Sequence, residues 1–187
     1  MAFVPTETTN LSALTPGVWN VDVSHSSANF VVRHLMVSKV RGRFTDFAAT
    51  IDIGEDPLQS SVQAVLQTAS ITTNDDQRDG HLKSPDFLDV ETYPAITFRS
   101  TSVRRDGDDF VVAGDLTIKD VTRPIELELE FDGVSPDPWG GTRAGFSASA
   151  ELNRKDFGME WNVALEAGGF LVGEKVKLQL DIEAVKA

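Results

Sequence analysis

The segment "PIELELEFD" limits the fold more than any other stretch. Ile125, Leu127, Leu129 and Phe131 alternate with Glu126, Glu128, Glu130 and Asp132. Successive side chains of a strand point to opposite faces, so this spacing gives a strand with one dry and one wet side; a helix would mix the two sets. "KVKLQLDIEA" repeats the period, with Val176, Leu178, Leu180, Ile182 and Ala184 inward. "VWNVDVS" does the same with Trp19, Val21 and Val23. Further strands are predicted over 28–36, 40–53, 61–70, 95–103, 110–118 and 142–153. Turn sequences such as "GEDP", "RRDGDD" and "SPDPWGG" separate many of them. About nine such segments suffice for an antiparallel sandwich or a closed barrel of roughly eight strands.

One stretch breaks the alternation. "RDGHLKSPDFLDVETYPAITF" follows "NDDQ" and is crowded with charge. Asn74 or Asp75 can cap a short helix, and Ser84 followed by Pro85 is a second helix-start signal. A mostly helical or irregular insertion is therefore expected at about residues 74–89. No repeat or linker divides the chain. The 187 residues are expected to form one domain over 17–187, preceded by a loose leader over 1–16.

Composition excludes several functions. The net charge of -12 argues against a general nucleic-acid binder and against docking on anionic lipid by overall charge, although local basic clusters can still act. The absence of cysteine removes disulfides, thiol catalysis and thiolate metal sites, and suits a reducing compartment. The N-terminal stretch has neither the basic start nor the apolar core of a secretory signal, and no segment is long and apolar enough for stable membrane insertion. A soluble cytoplasmic protein is expected.

The chemistry-bearing residues support no catalytic motif. The histidines are His25, His34 and His81, with no HExxH spacing, so no metal is expected. "DDQRDG" followed by Asp86 departs from a calcium loop at the third and twelfth positions. "GFSAS" is not a nucleophile elbow, and neither a phosphate-binding loop nor a dinucleotide fingerprint is present. No cofactor is expected.

The inward faces carry more information. Ala144, Phe146, Ala148, Ala150 and Leu152 form a mostly small face; Ala64 and Thr68 flank Leu66, and Gly114 lies between Val112 and Leu116. Either these small residues line a bore that holds one ligand, or they face large aromatic residues from opposite strands and leave no void. A bore so lined would be apolar and suited to a long chain. "VRHLMVSKVRGRF" concentrates Arg33, His34, Lys39, Arg41 and Arg43, which either meet an anionic head or pair with acidic outer faces. His34 shares the inward parity of Phe30 and Val32.

At this point the chain resembles the YceI-like family, the lipocalin-like polyisoprenoid-binding proteins. The stretches "VDVSHSSANFVVRHLMVSKVRGRF", "RDGHLKSPDFLDVETYPAITF", "LTIKDVTRPIELELEF" and "LNRKDFGMEWN" carry the likeness, which extends over roughly 17–184. The resemblance implies an all-β, elongated eight-stranded antiparallel barrel, a bore holding a polyisoprenoid or other long-chain lipid, no assignable enzyme activity, and a homodimer. Expected wall residues are Phe30, Val32, Leu66, Phe98, Phe110, Leu116, Phe146, Ala148 and Trp161. Phe87, Leu88 and Tyr93 of the insertion would pack inward at the mouth. Asp79 and His81 either face water or help place a head group. Near "LNRKDFGMEWN", Lys155, with Arg154 and His34, would meet an anionic head; the alternative is that Arg154 and Asp156 close a turn and His34 bonds a backbone carbonyl. A lipid-modifying hydrolase or isomerase, and a filled barrel used for protein contacts, are the rival functions.

Overall fold

In the computed structural model, which describes residues 11–187, the chain forms β1 (Gly17–Val21), β2 (Ser27–His34), β3 (Ser38–Phe44), β4 (Phe47–Ile53), β5 (Ser61–Gln67) and β6 (Ile71–Thr72). The helix α1 (Asp76–Lys83) follows, then β7 (Ala95–Asp106), β8 (Asp109–Ile118), β9 (Val121–Pro136), β10 (Thr142–Asn153) and β11 (Val172–Lys186). All strand pairings are antiparallel. β1 and β2 both pair with β11, β4 and β3 pair with them in turn, and β5 and β6 continue the series. Each of these couples is one interrupted barrel strand. With β7 to β11 they make a closed eight-stranded barrel, sealed where β11 meets β1.

The interruptions correct several strand limits. The stretch 40–53 is not one strand: Thr45 and Asp46 bend it, and the Thr45 amide bonds the Ser70 carbonyl instead of continuing the ladder. The stretch 61–70 ends at Gln67 in a turn of 3-10 helix, where the buried Thr68 hydroxyl donates to the Tyr93 carbonyl at 2.8 Å. Strand β1 stops at Val21 because the Asp22 carboxylate accepts the Ser24 amide and starts another 3-10 turn; Val23 is consequently exposed. β2 ends at His34, so Leu35 and Met36 form a turn rather than the end of a strand.

The insertion between β6 and β7 contains one helix. Asp75, not Asn74, is its N-cap, accepting the Arg78 amide at 2.9 Å. Ser84 does not start a second helix. Its backbone is extended and its hydroxyl donates to the His81 carbonyl at 2.6 Å, capping α1 at the C-terminal end before a series of turns. The expected leader over 1–16 falls outside the described residues at 1–10. Within 11–16, Leu14 is buried and the Thr15 carbonyl accepts the Trp19 indole N–H at 3.0 Å, while Ser12, Ala13, Thr15 and Pro16 are exposed.

Burial divides the interior along the barrel axis. Trp19, fully buried, gathers Leu14, Ile51, Phe131, Ala144 and Ala184 into a solid plug at one end. The other end, beyond β2–β3, α1 and the segment after β10, is where the bore remains open. Among the described residues no helix is long and apolar enough to cross a membrane.

Candidate ligand-binding cavity

The bore holds a cavity of about 680 Å3. That volume lies within the roughly 300–1,000 Å3 of small-molecule pockets. Its walls come from the alternating faces. Val176, Leu178, Leu180 and Ile182 of β11 face Ala64 and Leu66 of β5, while Phe98, Leu116 and Leu127 supply another side. Of the expected wall residues, Phe30, Val32, Leu66, Phe98, Leu116, Phe146, Ala148 and Trp161 line the cavity, as do Phe87 and Leu88 of the insertion. His34 lines it too, and among the described residues its ring has no protein hydrogen-bond partner.

Two expected site residues are placed elsewhere. Phe110 points inward but sits in the plug with Trp19 and Phe146, below the cavity floor. Alternation distinguishes inside from outside; it does not give depth along the axis. Lys155 is outside the barrel. Asn153 caps a 3-10 helix over Arg154–Phe157, and in such a helix residues three apart share a side. Arg154 and Phe157 therefore turn inward, while Lys155 turns out to pair with Glu174 at 2.8 Å. Tyr93 is half-buried and not on the cavity wall; Asp156 stays exposed.

The small inward residues do two different things. A side chain at Gly42 would collide with the Phe30 ring, and one at Gly114 with the Phe98 ring. These glycines let a neighbouring phenyl lie flat on the wall and leave no space for a ligand. Ala144 and Ala184 are consumed under Trp19. Ala28, Ala49, Ala64 and Ala148 border the cavity and keep it open.

Polar groups gather at one end. Arg154 is 3% exposed and reaches the cavity, yet no carboxylate neutralises it directly. It donates instead to the carbonyls of Met159 (2.6 Å), Trp161 (2.9 Å), Gly173 (2.8 Å) and Val172 (3.3 Å). Desolvation pulls its pKa below the usual arginine value, and Glu174 partly offsets this. Of Arg154 and Lys155, both expected to meet an anionic head, Arg154 alone reaches the cavity, and the three-residue step from Arg154 to Phe157 is the signal that separates them. Asp75, Gln77 and Arg78 also border the mouth, and nothing in the strand pattern pointed to them.

Asp79 neither faces water nor lines the cavity. It is buried, and accepts the Thr73 amide at 2.7 Å and the Thr73 hydroxyl at 2.5 Å. Burial raises its pKa, but these bonds outweigh burial and the net shift is downward. Arg78 donates to the same threonine, which fastens α1 to the end of β6. His81 faces the cavity, held by Asp86 at 2.9 Å.

At the plugged end Asp22, His25 and Glu183 gather ligand atoms within 4.8 Å. Arg143 already bridges them, donating to Asp22 at 2.8 Å and to Glu183 at 2.7 Å. Its guanidinium supplies the positive charge there.

Comparison with known proteins agrees with this architecture. Residues 19–184 match the YceI-like domain family. Protein YceI of Escherichia coli O17:K52:H18 (strain UMN026 / ExPEC) is 41% identical over 163 residues, covering 87% of this chain and 82% of that protein. The Campylobacter jejuni YCEI protein superposes with a TM-score of 0.69 at 28% identity, over 83% of this chain and 90% of that one. A polyisoprenoid binding domain from Saccharophagus degradans, implicated in plant cell wall breakdown, shares the fold at 17% identity with a TM-score of 0.68, over 92% of this chain and 100% of that one. The cavity-bearing barrel, the extent of the family match and the identity to YceI together establish that this chain belongs to the YceI-like family.

Proposed function

We propose that the barrel binds and carries a long-chain apolar amphiphile, such as a polyisoprenoid, an isoprenoid quinone or a fatty-acid-like lipid, without transforming it. The observation that carries this reading is the polarity gradient of the cavity: aliphatic and phenyl walls down to the plug, with Arg154, His34 and His81 at the open end. The tail lies between Phe98, Leu116, Ala148 and Leu180, and the polar head sits among those three side chains. The Saccharophagus neighbour lends the fold; the ligand class rests on this chain's own lining.

The energetics favour a chain over a compact metabolite. Each buried methylene contributes about 0.8 kcal/mol, so a tail of a dozen carbons gains about 10 kcal/mol before its ordering cost. A polar metabolite would lose its water shell against walls that offer no hydrogen bonds.

Native mass spectrometry of protein purified from its own host tests the reading. A co-purifying lipid, displaced by fluorescent fatty-acid or isoprenoid probes, supports carriage. Conversion of the bound lipid to a new product would indicate catalysis, and a protein that arrives empty and binds no lipid probe would overturn the proposal.

A further inference from the structure

The cations of this acidic chain are not evenly spread. Strands β11, β2 and β3 lie side by side, and their register sets Lys177 beside Val31 and Val31 beside Arg41. One row toward the mouth, Arg33 stands directly opposite Lys39; one row the other way, Arg43 stands opposite Asn29. Arg33, Lys39, Arg41, Arg43 and Lys177 are all exposed, so they form one outward strip. Among the described residues none of them forms an ion pair, whereas Arg104, Lys155 and Lys175 elsewhere do. Like charges directly across a ladder destabilise a sheet, so the Arg33–Lys39 pair needs a reason outside the barrel.

The hairpin at the head of this strip ends in an apolar tip. Val37 is 81% exposed and Met36 56%. The Val37 amide bonds the His34 carbonyl, and Leu35 and Met36 have φ values of 52° and 62°. Positive φ at both central positions is the turn that ordinarily takes Asn-Gly, and large side chains are rare there. The neighbouring loop ties in: the Leu35 amide bonds the Leu171 carbonyl at 2.9 Å, and Met36 lies beside Gly169. That loop adds Phe170, 48% exposed, to the same end.

We propose that this tip and strip dock the barrel, mouth end first, on an anionic lipid bilayer. Charge complementarity selects this partner. The whole chain carries a net charge of -12 and is repelled by such a surface, so attachment requires a concentrated local strip of the opposite sign. Strands rise about 3.4 Å per residue, which sets Arg41 about 10 Å from Ser38 along the strand, within roughly one Debye length of a surface touched by the tip. Leu35, Met36 and Val37 enter the headgroup region while the cations above them face the lipid charge. Attachment is peripheral and reversible. The inference does not depend on what the bore holds, because an empty barrel presents the same surface.

Co-sedimentation of the full chain with large unilamellar vesicles tests it. Binding is expected to 7:3 phosphatidylcholine–phosphatidylglycerol vesicles at low salt, with at least ten-fold less to pure phosphatidylcholine and a steep loss as salt is added. R41E/R43E should lower partitioning by more than ten-fold, at about five-fold for each cation removed. V37D should lower it comparably with an unchanged melting temperature, and both variants should bind lipid probes in the bore as before. No sedimentation with anionic vesicles at low salt, or variants that sediment like the parent, would overturn the proposal. So would analytical ultracentrifugation showing a dimer that V37D dissociates without any vesicle binding by the parent, since the tip would then be an interface between two copies of this chain.

Discussion

The His81 ring stands edge-on to the Trp161 indole, with ring centres 4.5 Å apart and planes at 87°. Phe87 completes the group, 5.0 Å from His81 and 5.6 Å from Trp161. One ring comes from α1, one from the turns after it and one from the segment following β10. Together they form an aromatic cluster on the cavity wall, held by packing rather than by covalent constraint. Trp161→Ala removes the ring shared by both contacts, each worth roughly 0.5–1.5 kcal/mol beyond its buried area. Stopped-flow release of a fluorescent fatty acid should then be faster by about ten-fold, with a smaller change in association rate.

Ala148 borders the cavity between Leu129 and Leu180 of the flanking strands. Ala148→Phe places a phenyl beside Leu129 and Leu180, where the proposed tail would lie. Overpacking at a void-lining site costs less than in a filled core, so a stability loss of no more than about 1–3 kcal/mol is expected. Probe binding should fall to background in titration calorimetry while the melting transition stays cooperative. Retention of full affinity would place the tail elsewhere.

How far the cavity could be read in the sequence depends on which periodicity each residue obeys. Period two placed Phe30, Leu66, Phe98 and Leu180 on the inner wall, because a half-buried strand offers only two faces. It failed for Phe110, since depth along the axis is a property of the closed barrel and not of one strand. At Arg154 and Lys155 alternation stops, and a 3-10 turn with three residues per turn decides which of the two faces inward. Ser84 read as a helix start because a serine hydroxyl caps either end, and only the chain before it decides which. The bend at Thr45–Asp46 carries no Gly or Pro, and the bond that makes it comes from Ser70, remote in sequence.

Arg154 is expected to be structural as well as ligand-facing. Its guanidinium satisfies four carbonyls in a part-buried region. Arg154→Met takes this donor from all four carbonyls, of which Val172 alone keeps a side-chain donor, the Asn162 amide at 2.7 Å, and a destabilisation of about 3–5 kcal/mol is expected in urea titrations. Arg154→Lys should recover little, because an ammonium has neither the reach nor the planar fork to serve separate carbonyls.

Acid should loosen the attachment of α1. The folded-state pKa of Asp79 lies below the ordinary carboxylate value because the bonds from Thr73 outweigh the opposing effect of burial. A depressed pKa contributes stability that is complete above the unfolded value, about 3.9, and is lost as pH falls through the lower folded value. Asp22 acts in the same direction at the plugged end, where Ser24, Arg143 and His25 hold its carboxyl low. Melting temperatures should therefore be flat near neutrality and fall below about pH 4. Asp79→Asn should cost roughly 1–3 kcal/mol at pH 7 and reduce the acid slope, as followed by hydrogen exchange of the α1 amides.

The hairpin tip gives the clearest separation of stability from use. Leu35 and Met36 both hold left-handed backbone conformations, which cost roughly 1–2 kcal/mol per residue for side chains with a Cβ and much less for Asn or Gly. Leu35→Asn with Met36→Gly keeps the turn geometry and relieves both positions, and the side chains it removes are already 40% and 56% exposed. Gly also adds freedom to the unfolded chain, which offsets part of the gain. The double variant should therefore be more stable than the parent by about 1–2 kcal/mol, read as a rise in melting temperature. Bore affinity for lipid probes should not change, because neither residue lines the cavity. Vesicle attachment should drop. A variant that gained no stability would show that Leu35 and Met36 recover their backbone cost through contacts with the 162–171 loop.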